Sequence, residues 1–237
     1  MAQQVIHRAE TRGHADHGWL DTHHTFSFAG YHDPERIHFG ALRVLNDDHV
    51  AGGRGFGTHP HDNMEIISIP LEGDLEHQDS MGNRTVIKQG DVQLMSAGTG
   101  VRHSEKNAHA DRPVKFLQIW VFPKEKNITP RYDQQHFPDE VRHNTLVPVV
   151  SPDGSGGVGI NQNAWFYLGK LDEGFTHTHR LHDRGNGVYA FVLDGRVRIN
   201  DTELHRRDGM GVWDTDQVRI EASDDAELLL MEVPMTF

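Results

Sequence analysis

Short apolar runs separated by turn residues dominate the chain between residues 53 and 123. The run at 66–69 ends at the turn Glu72-Gly73-Asp74, and another turn follows at Met81-Gly82-Asn83. Strands at this spacing, with Gly, Asn and Asp at the turns, are typical of an antiparallel sandwich or barrel. Residues 116–122 (FLQIWVF) form a continuous apolar run, which predicts a strand buried on both faces. The pattern therefore predicts an all-β fold.

The second half of the chain repeats this pattern in outline. Residues 188–195 (VYAFVLDG) resemble 66–73 (IISIPLEG), and 207–213 (RDGMGVW) resemble the stretch that begins QGDV at 89–92. An internal duplication is the simplest interpretation. The segment 123–163 between the two halves is rich in Pro and Gly, as connectors and hairpin tips are.

This organisation predicts two domains and a connector. We expect residues 1–132 to form an N-terminal domain, 133–163 to connect, and 164–237 to form a C-terminal domain. At 237 residues the chain is long enough to bury a substantial core.

Charge narrows the set of partners. Lys and Arg number 23 and Asp and Glu 35, so the formal charge is −12 and the pI is near 5.8. Such a surface repels phosphate backbones and anionic membranes, and we expect neither nucleic acid nor membrane as a direct partner. The N-terminus lacks the apolar core of a secretory signal, and no apolar stretch approaches membrane-spanning length. We expect a cytoplasmic monomer.

Histidine is the residue type that carries the chemistry. The chain has no cysteine and 19 histidines, which excludes thiolate nucleophiles, disulfides and cysteine-type metal sites. Two stretches, THPH at 58–61 and RHSE at 102–105, place potential metal ligands two residues apart. Because alternate side chains of a strand share a face, His59 and His61 point the same way. His103 and Glu105 do so for the same reason.

A metal site follows if these two strands sit opposite each other in a small barrel. Three neutral imidazoles and one carboxylate would then meet at one point inside it. This donor set suits a divalent cation such as Fe, Mn, Co, Ni, Cu or Zn. Four protein ligands would leave two positions of a six-coordinate ion for a substrate and dioxygen. Without a cation, these buried groups would need many hydrogen-bond partners.

Glu65 leaves an alternative open. It has the same strand parity as His59 and His61, so it could be a fifth ligand that leaves a single open position. We favour a supporting or structural role for Glu65.

The duplication also tests whether the second half holds a metal. Counted from the matching glycines, the equivalents of the four ligands carry no imidazole: Leu181, Asp183, Ala222 and Asp224. His177 and His179 form a rival pair, but no partner stretch follows them at a suitable distance. We interpret these two as exposed or hydrogen-bonded strand residues and expect one metal per chain.

The glycine and histidine spacing resembles the two motifs of cupins. Gly53, the 59–61 stretch and Gly73 match the first motif, and Gly90 with GVRH at 100–103 matches the second. The usual acidic ligand of the first motif is displaced and the proline of the second is missing, while Glu105 adds a carboxylate. With GWLDTHHTFSF, THPHDNMEI, LEGDLEHQDSMGN, MSAGTGVRHSE, QIWVFP and TPRY, the sequence resembles the pirin family in its bacterial quercetin 2,3-dioxygenase branch. The resemblance is most specific over residues 12–132.

This resemblance implies a bicupin, which is a pair of antiparallel jelly-roll β-barrels, with the metal in the N-terminal barrel only. It implies His59, His61, His103 and Glu105 as ligands, and Fe(II) is the cation we favour. The implied activity is a dioxygenase that opens the heterocyclic ring of a flavonol such as quercetin and releases carbon monoxide. The alternatives are a metal-dependent regulatory or redox-sensing binding protein with side activity on flavonols, and a cupin isomerase or lyase that needs no dioxygen.

Glu105 is the candidate base for the 3-hydroxyl group of the flavonol. As a metal ligand it would act through a free oxygen or by loosening from the metal. Phe56, Met64 and Met95 are apolar residues close to the ligands in sequence. They could line the substrate pocket or simply belong to the hydrophobic core. The residues expected to support the site or to line its pocket are His23, His24, Phe56, Met64, Glu65 and Met95.

Overall fold

The computed structural model describes residues 2–237, and these are built almost wholly of β-strands. Helical structure within that range is limited to a 3-10 turn at Ala9–Thr11 and the short helix α1 at Asp139–Arg142. The strands of the first half are β1 (Gln3–His7), β2 (Gly13–Asp16), β3 (Leu20–His24), β4 (Leu42–Val50), β5 (Gly55–His61), β6 (Glu65–Glu72), β7 (Asp74–Asp79), β8 (Arg84–Lys88), β9 (Asp91–Ser96), β10 (Val101–Asn107), β11 (Val114–Val121) and β12 (Arg131–His136). Those of the second half are β13 (Val147–Ser151), β14 (Val158–Gly159), β15 (Trp165–Leu171), β16 (Thr176–Arg180), β17 (Asn186–Asp194), β18 (Arg196–Ile199), β19 (Thr202–His205), β20 (Gly209–Trp213), β21 (Gln217–Ala222) and β22 (Ala226–Pro234).

Each half of the chain folds into a large sheet and a small one. The first half has a seven-stranded sheet in the order β12-β9-β6-β11-β4-β3-β2 and a four-stranded sheet in the order β5-β10-β7-β8. The second half has the order β1-β20-β17-β22-β15-β13-β14 and the order β16-β21-β18-β19. Between the named strands of residues 2–237, all pairings are antiparallel except that of β13 with β14. The predicted all-β bicupin is confirmed.

Two strands cross the expected domain boundaries. β1 lies in the first half of the sequence but pairs with β20 of the second barrel, over Gln3↔Trp213 to His7↔Gly209. β12 pairs with β9 of the first barrel and continues to His136. An edge strand satisfies its backbone groups wherever a free sheet edge is nearest, and sequence order does not specify that edge.

The duplication is visible in the strands that carry the predicted repeat. β6 and β17 occupy the same place in their sheets, and each is followed by a glycine turn, Gly73 with φ 76° and Gly195 with φ 73°. This left-handed conformation favours glycine. At Gly195 a Cβ atom would also lie 2.0 Å from the carbonyl oxygen of Asp225.

The largest apolar cluster joins the two barrels. It combines side chains of β4, β6, β9 and β11 with side chains of β13, β15, β17 and β22, including Leu45, Ile119, Phe166 and Leu229. The two large sheets therefore pack face to face. The run at 116–122 belongs to β11, which is buried along most of its length as predicted.

The described part of the chain contains no helix with the length and apolar character that crossing a membrane requires.

Candidate metal centre

The two predicted histidine stretches lie on neighbouring strands. β5 and β10 pair antiparallel, with His103 directly opposite His59 and Val101 opposite His61. The condition set for a metal site, that the two strands lie opposite each other in one barrel, is met by this direct pairing. The groups converge, because side chains on one face of directly paired residues lie about 5 Å apart.

Alternation along β10 confirms the predicted faces. His103 and Glu105 are each 2% exposed, whereas Arg102 and Lys106 on either side of them are exposed and Ser104 between them is half-buried. The register shifts between His103 and Glu105, so that Glu105 opposes Phe56 of β5. Such a bulge re-aims side chains at the edge of a barrel.

The three histidines meet closely. Their ligand nitrogens all lie within 4.8 Å of one another. The ring centroids are separated by 4.4 Å for His59 and His103, 4.8 Å for His59 and His61, and 4.9 Å for His61 and His103. One ion between the rings could be reached by all three.

Their hydrogen bonds leave nitrogen lone pairs free. Nδ1 of His59 donates to the carbonyl oxygen of Gly57 at 2.8 Å, so Nε2 keeps its lone pair for a cation. Both ring nitrogens of His103 are buried without a hydrogen-bond partner. Orphaned imidazole nitrogens at the centre of such a group are costly, and a divalent cation would satisfy one of them. The donor set fits a divalent metal.

The same burial keeps two of these imidazoles neutral. Desolvation, followed by the neighbouring imidazoles, lowers the pKa of His61 to about 4 and the pKa of His103 to about 3. Neutral imidazole is the form that binds metal, so protons compete weakly for these nitrogens at neutral pH.

Glu105 sits beside His103 in a hydrogen-bonded position. Its Oε1 accepts from the Ser68 hydroxyl at 2.9 Å, and its Oε2 accepts from the Gln118 amide at 2.7 Å. Ligand atoms of Glu105, His103 and His77 also lie within 4.8 Å of one another, so this second group shares His103 with the first. A carboxylate offers about four lone-pair directions, and two remain for a metal or a proton.

Sequence reasoning missed the residues that hold Glu105 and surround His103. Ser68 and Gln118 are polar residues inside otherwise apolar strands, and that interruption was the available signal. His77 is fully buried, with its ring centroid 5.4 Å from that of His103. Nothing in the local spacing marked His77, because its place is set by the pairing of β7 with β10.

A cavity of about 540 Å³ opens next to this centre. Its lining includes His24 and Phe56, two of the predicted pocket residues. None of the four proposed ligands lines it, and strand pairing relates it to the centre: Phe56 opposes Glu105, and the lining residue Asn46 is paired with Gln118, the donor to Glu105. This cavity has the size of a small-molecule site.

The other predicted neighbours lie away from the cavity. Met95 is fully buried in a small cluster with Ile66, Ala97 and Val101, against which Met64 packs, so both are core residues. His23 lies on the outward side of β3 near His14 and Asp21.

Glu65 also has structural partners. It is fully buried, and its Oε2 accepts from the Ser96 hydroxyl at 2.7 Å and from the backbone of Asn161 at 3.0 Å. It therefore fastens the connector to the first barrel, and it is in none of the histidine clusters of the described residues.

The rival pair in the second barrel is exposed or hydrogen-bonded as predicted, although His179 does gain partners, since its ligand atoms and those of His182 and Glu232 lie within 4.8 Å of one another. His177 is exposed, and His179 donates from Nε2 to Glu232 at 2.9 Å. Glu232 is fully buried and also accepts from Nδ1 and the backbone N–H of His182 and from Asn186. Sequence analysis had not singled out His182 or Glu232.

Comparison with protein families assigns both halves of the chain. Residues 5–121 match the model described as Pirin, and residues 148–233 match the model described as Quercetinase C-terminal cupin domain.

Individual relatives cover nearly the whole chain. A quercetin 2,3-dioxygenase of Escherichia coli K12 is 46% identical over 97% of this chain and 98% of its own length. A pirin-like protein of Caulobacter vibrioides is 40% identical over 93% of this chain and 95% of its own. The crystal structure of the E. coli bacterial pirin YhhW in complex with nickel(II) matches with a TM-score of 0.93 at 42% identity, covering 98% of this chain and 99% of that one.

Proposed function

Because the chain belongs to the pirin family, we propose that it is a metal-dependent dioxygenase that opens the heterocyclic ring of a flavonol and releases carbon monoxide. The observation that carries this proposal is the cluster of three imidazoles with free nitrogens beside a cavity partly lined by aromatic rings. The name quercetin 2,3-dioxygenase of the E. coli relative supports the substrate class.

We propose His59, His61, His103 and Glu105 as the residues that hold the cation. When bound, a divalent cation would supply Lewis-acid chemistry that lowers the pKa of the flavonol 3-hydroxyl. Fe(II) is the ion we favour, although imidazole and carboxylate donors accept several ions and the E. coli pirin is in complex with nickel(II).

Glu105 is the proposed acceptor of the 3-hydroxyl proton. Ser68 and Gln118 each occupy one lone pair of the carboxylate, which fixes its orientation and leaves a lone pair on each oxygen. The carboxylate is nearly inaccessible to water, so a proton taken from the substrate would stay on the carboxyl group and would not be lost to bulk water. Phe56, opposite Glu105, would limit the space into which the flavonol ring can be placed.

The direct test is an assay of quercetin turnover under air. Protein that carries one equivalent of metal should consume dioxygen and release carbon monoxide in equal amounts, and protein stripped by a chelator should do neither until metal is restored. Binding of quercetin without carbon monoxide release by the metal-loaded protein would contradict the proposal and favour a regulatory binding protein. Turnover in the absence of dioxygen would instead indicate an isomerase or lyase.

A further inference from the structure

The cavity beside the metal centre has two unlike walls. One wall is aromatic and apolar and includes Phe28, Tyr31 and Phe56. The other wall consists of four polar side chains that are at most 5% exposed: Thr22, His24, Asn46 and Asp48. Buried polar groups are normally paired, so this wall needs an explanation.

The polar wall is a compact patch on one face of two strands. β3 and β4 pair with Thr22 opposite Asp48 and with His24 opposite Asn46. Since alternate residues of a strand share a face, all four side chains point into the cavity together.

Four of the seven side-chain nitrogen and oxygen atoms of this patch are bonded to one another, and three are free. The Thr22 hydroxyl donates to Asp48 Oδ1 at 2.5 Å, and His24 Nδ1 donates to Asn46 Oδ1 at 2.9 Å. Among residues 2–237, none donates to Asp48 Oδ2, accepts from Asn46 Nδ2 or bonds to His24 Nε2. None of these three atoms is completely buried, and the residues that carry them all line the cavity.

The three free atoms have defined roles. Because His24 Nδ1 carries the proton that Asn46 accepts, its Nε2 is an acceptor. Asp48 Oδ2 is a second acceptor, and Asn46 Nδ2 is a donor. A phenolic hydroxyl group both donates and accepts, and the ring that bears it can lie against the aromatic wall.

We propose that this patch binds the phenolic hydroxyl groups of the substrate other than the 3-hydroxyl, with Asp48 Oδ2 as the principal acceptor. The proposal rests on the proposed function and adds to it a preference for flavonols with hydroxylated rings. Thr22 is a positioning residue, because it fixes the orientation of the Asp48 carboxyl group.

The electrostatics of the wall agree with this assignment. Burial is the main reason why the pKa of Asp48 is raised to about 7, and the charge of Glu105 adds to it. A carboxylate deprived of water in this way would be stabilised by a hydroxyl donor from a ligand.

The test measures the effect of one isosteric substitution on the KM values of two flavonols. In Asp48→Asn the atom that faces the cavity changes from an acceptor to an amide donor, because the carbonyl oxygen keeps the bond from Thr22. At about pH 8, above the pKa of about 7 of Asp48, we expect KM for quercetin to rise about ten-fold or more with kcat within about two-fold, the effect of losing one hydrogen bond to a charged group. KM for 3-hydroxyflavone, which has no other hydroxyl group, should stay within about two-fold of its wild-type value.

Three further variants keep the test decisive. Asp47→Asn, next in sequence and bonded to Arg12 and Arg207 outside the cavity, should leave both KM values unchanged. Thr22→Val should raise KM for quercetin by a smaller factor, and Thr22→Ser should restore it. Equal changes for the two flavonols, or no change for quercetin in a folded Asp48→Asn protein of normal metal content, would overturn the assignment.

Failure of the proposed function would be recognised separately. If the metal-loaded wild-type protein releases no carbon monoxide from either flavonol, the same variants can be compared by dissociation constant, measured through quenching of tryptophan fluorescence. A loss of affinity in Asp48→Asn for quercetin alone would support the subsite without turnover, whereas equal affinities would refute it.

Discussion

The interiors of the two barrels differ more than their topologies do. The second barrel is filled by one apolar cluster that runs through Val188, Ile220 and Leu228. The interior of the first barrel is divided into two smaller clusters, one around Phe116 and Leu75 and one around Ile66, Met95 and Val101. The histidine centre touches both, because His61 contacts Trp120 of one and Glu105 opposes Phe56 of the other. Two barrels of like topology thus differ in their interiors: one is filled by apolar packing, and the other contains the histidine cluster.

The polar clusters of the two barrels also differ, in how fully their hydrogen-bonding groups are paired. His103 has two buried nitrogens without partners, whereas Glu232 accepts four hydrogen bonds from His179, His182 and Asn186. Both clusters combine histidine with a nearby glutamate. Unmet bonding capacity therefore distinguishes a metal centre from a structural cluster, since a satisfied network gains little from an ion.

The largest expected effect comes from removing one imidazole of the first barrel. His61→Ala should reduce bound metal to less than about a tenth of the wild-type content and abolish oxygen uptake, because one of three closely spaced donors is lost. Metal content by elemental analysis of protein purified without added metal, with oxygen uptake on quercetin, measures both.

The second barrel supplies the matched control for that variant. His179→Ala also deletes a histidine from a histidine–glutamate cluster, but it should leave metal content and oxygen uptake at wild-type values. If His179→Ala lost metal, or if His61→Ala kept a full equivalent, the contrast between the barrels would be wrong.

Glu105→Gln should separate metal binding from chemistry. The amide can still accept from Ser68 or coordinate weakly through its oxygen, so most of the metal should remain, while loss of the proton acceptor should lower kcat about 100-fold. Glu65→Gln, at a buried glutamate outside the cluster, is the matched variant and should retain both metal and kcat. Turnover of quercetin by Glu105→Gln at the wild-type rate would exclude Glu105 as the base.

Strand alternation was sufficient to predict which faces the ligands share. His59 and His61 on one strand, and His103 and Glu105 on another, follow from a period of two residues. Alternation does not say which strands are neighbours, so the sequence left the pairing of these two strands as a condition. The pairing of β5 with β10 depends on long-range contacts that no local pattern encodes.

The residues that support the site could not be identified from the sequence either, because long-range strand pairing brings them together. Gln118 and Ser68 interrupt apolar runs, but only the register of β6, β10 and β11 brings them to Glu105. Asp48 lies in a polar stretch, NDDH at 46–49, where nothing distinguishes it from Asp47 except the face of β4 it occupies. Glu232 joins His179 from 53 residues away.

The smallest effect concerns stability, at Glu232. Burial alone would raise the pKa of this carboxyl group, but the bonds from His179, His182 and Asn186 outweigh burial and lower it. A lowered pKa means that the carboxylate stabilises the folded state above the unfolded pKa of about 4.3, and that this contribution is lost as pH falls through the folded value. Glu232→Gln should therefore lower the free energy of unfolding by about 2 kcal/mol at pH 7, since the amide oxygen can still accept some of these bonds.

Acid should erase the difference between wild type and Glu232→Gln, because both then carry a neutral side chain at this position. Urea unfolding followed by tryptophan fluorescence suits the measurement, since Trp165 stacks on His182 with a centroid distance of 4.1 Å. Metal content should stay at the wild-type value throughout. An equally stable variant at pH 7 would show that the four hydrogen bonds to Glu232 do no more than offset its burial. A loss of metal would show that metal binding depends on the Glu232 cluster, against the separation of the two clusters in the structure.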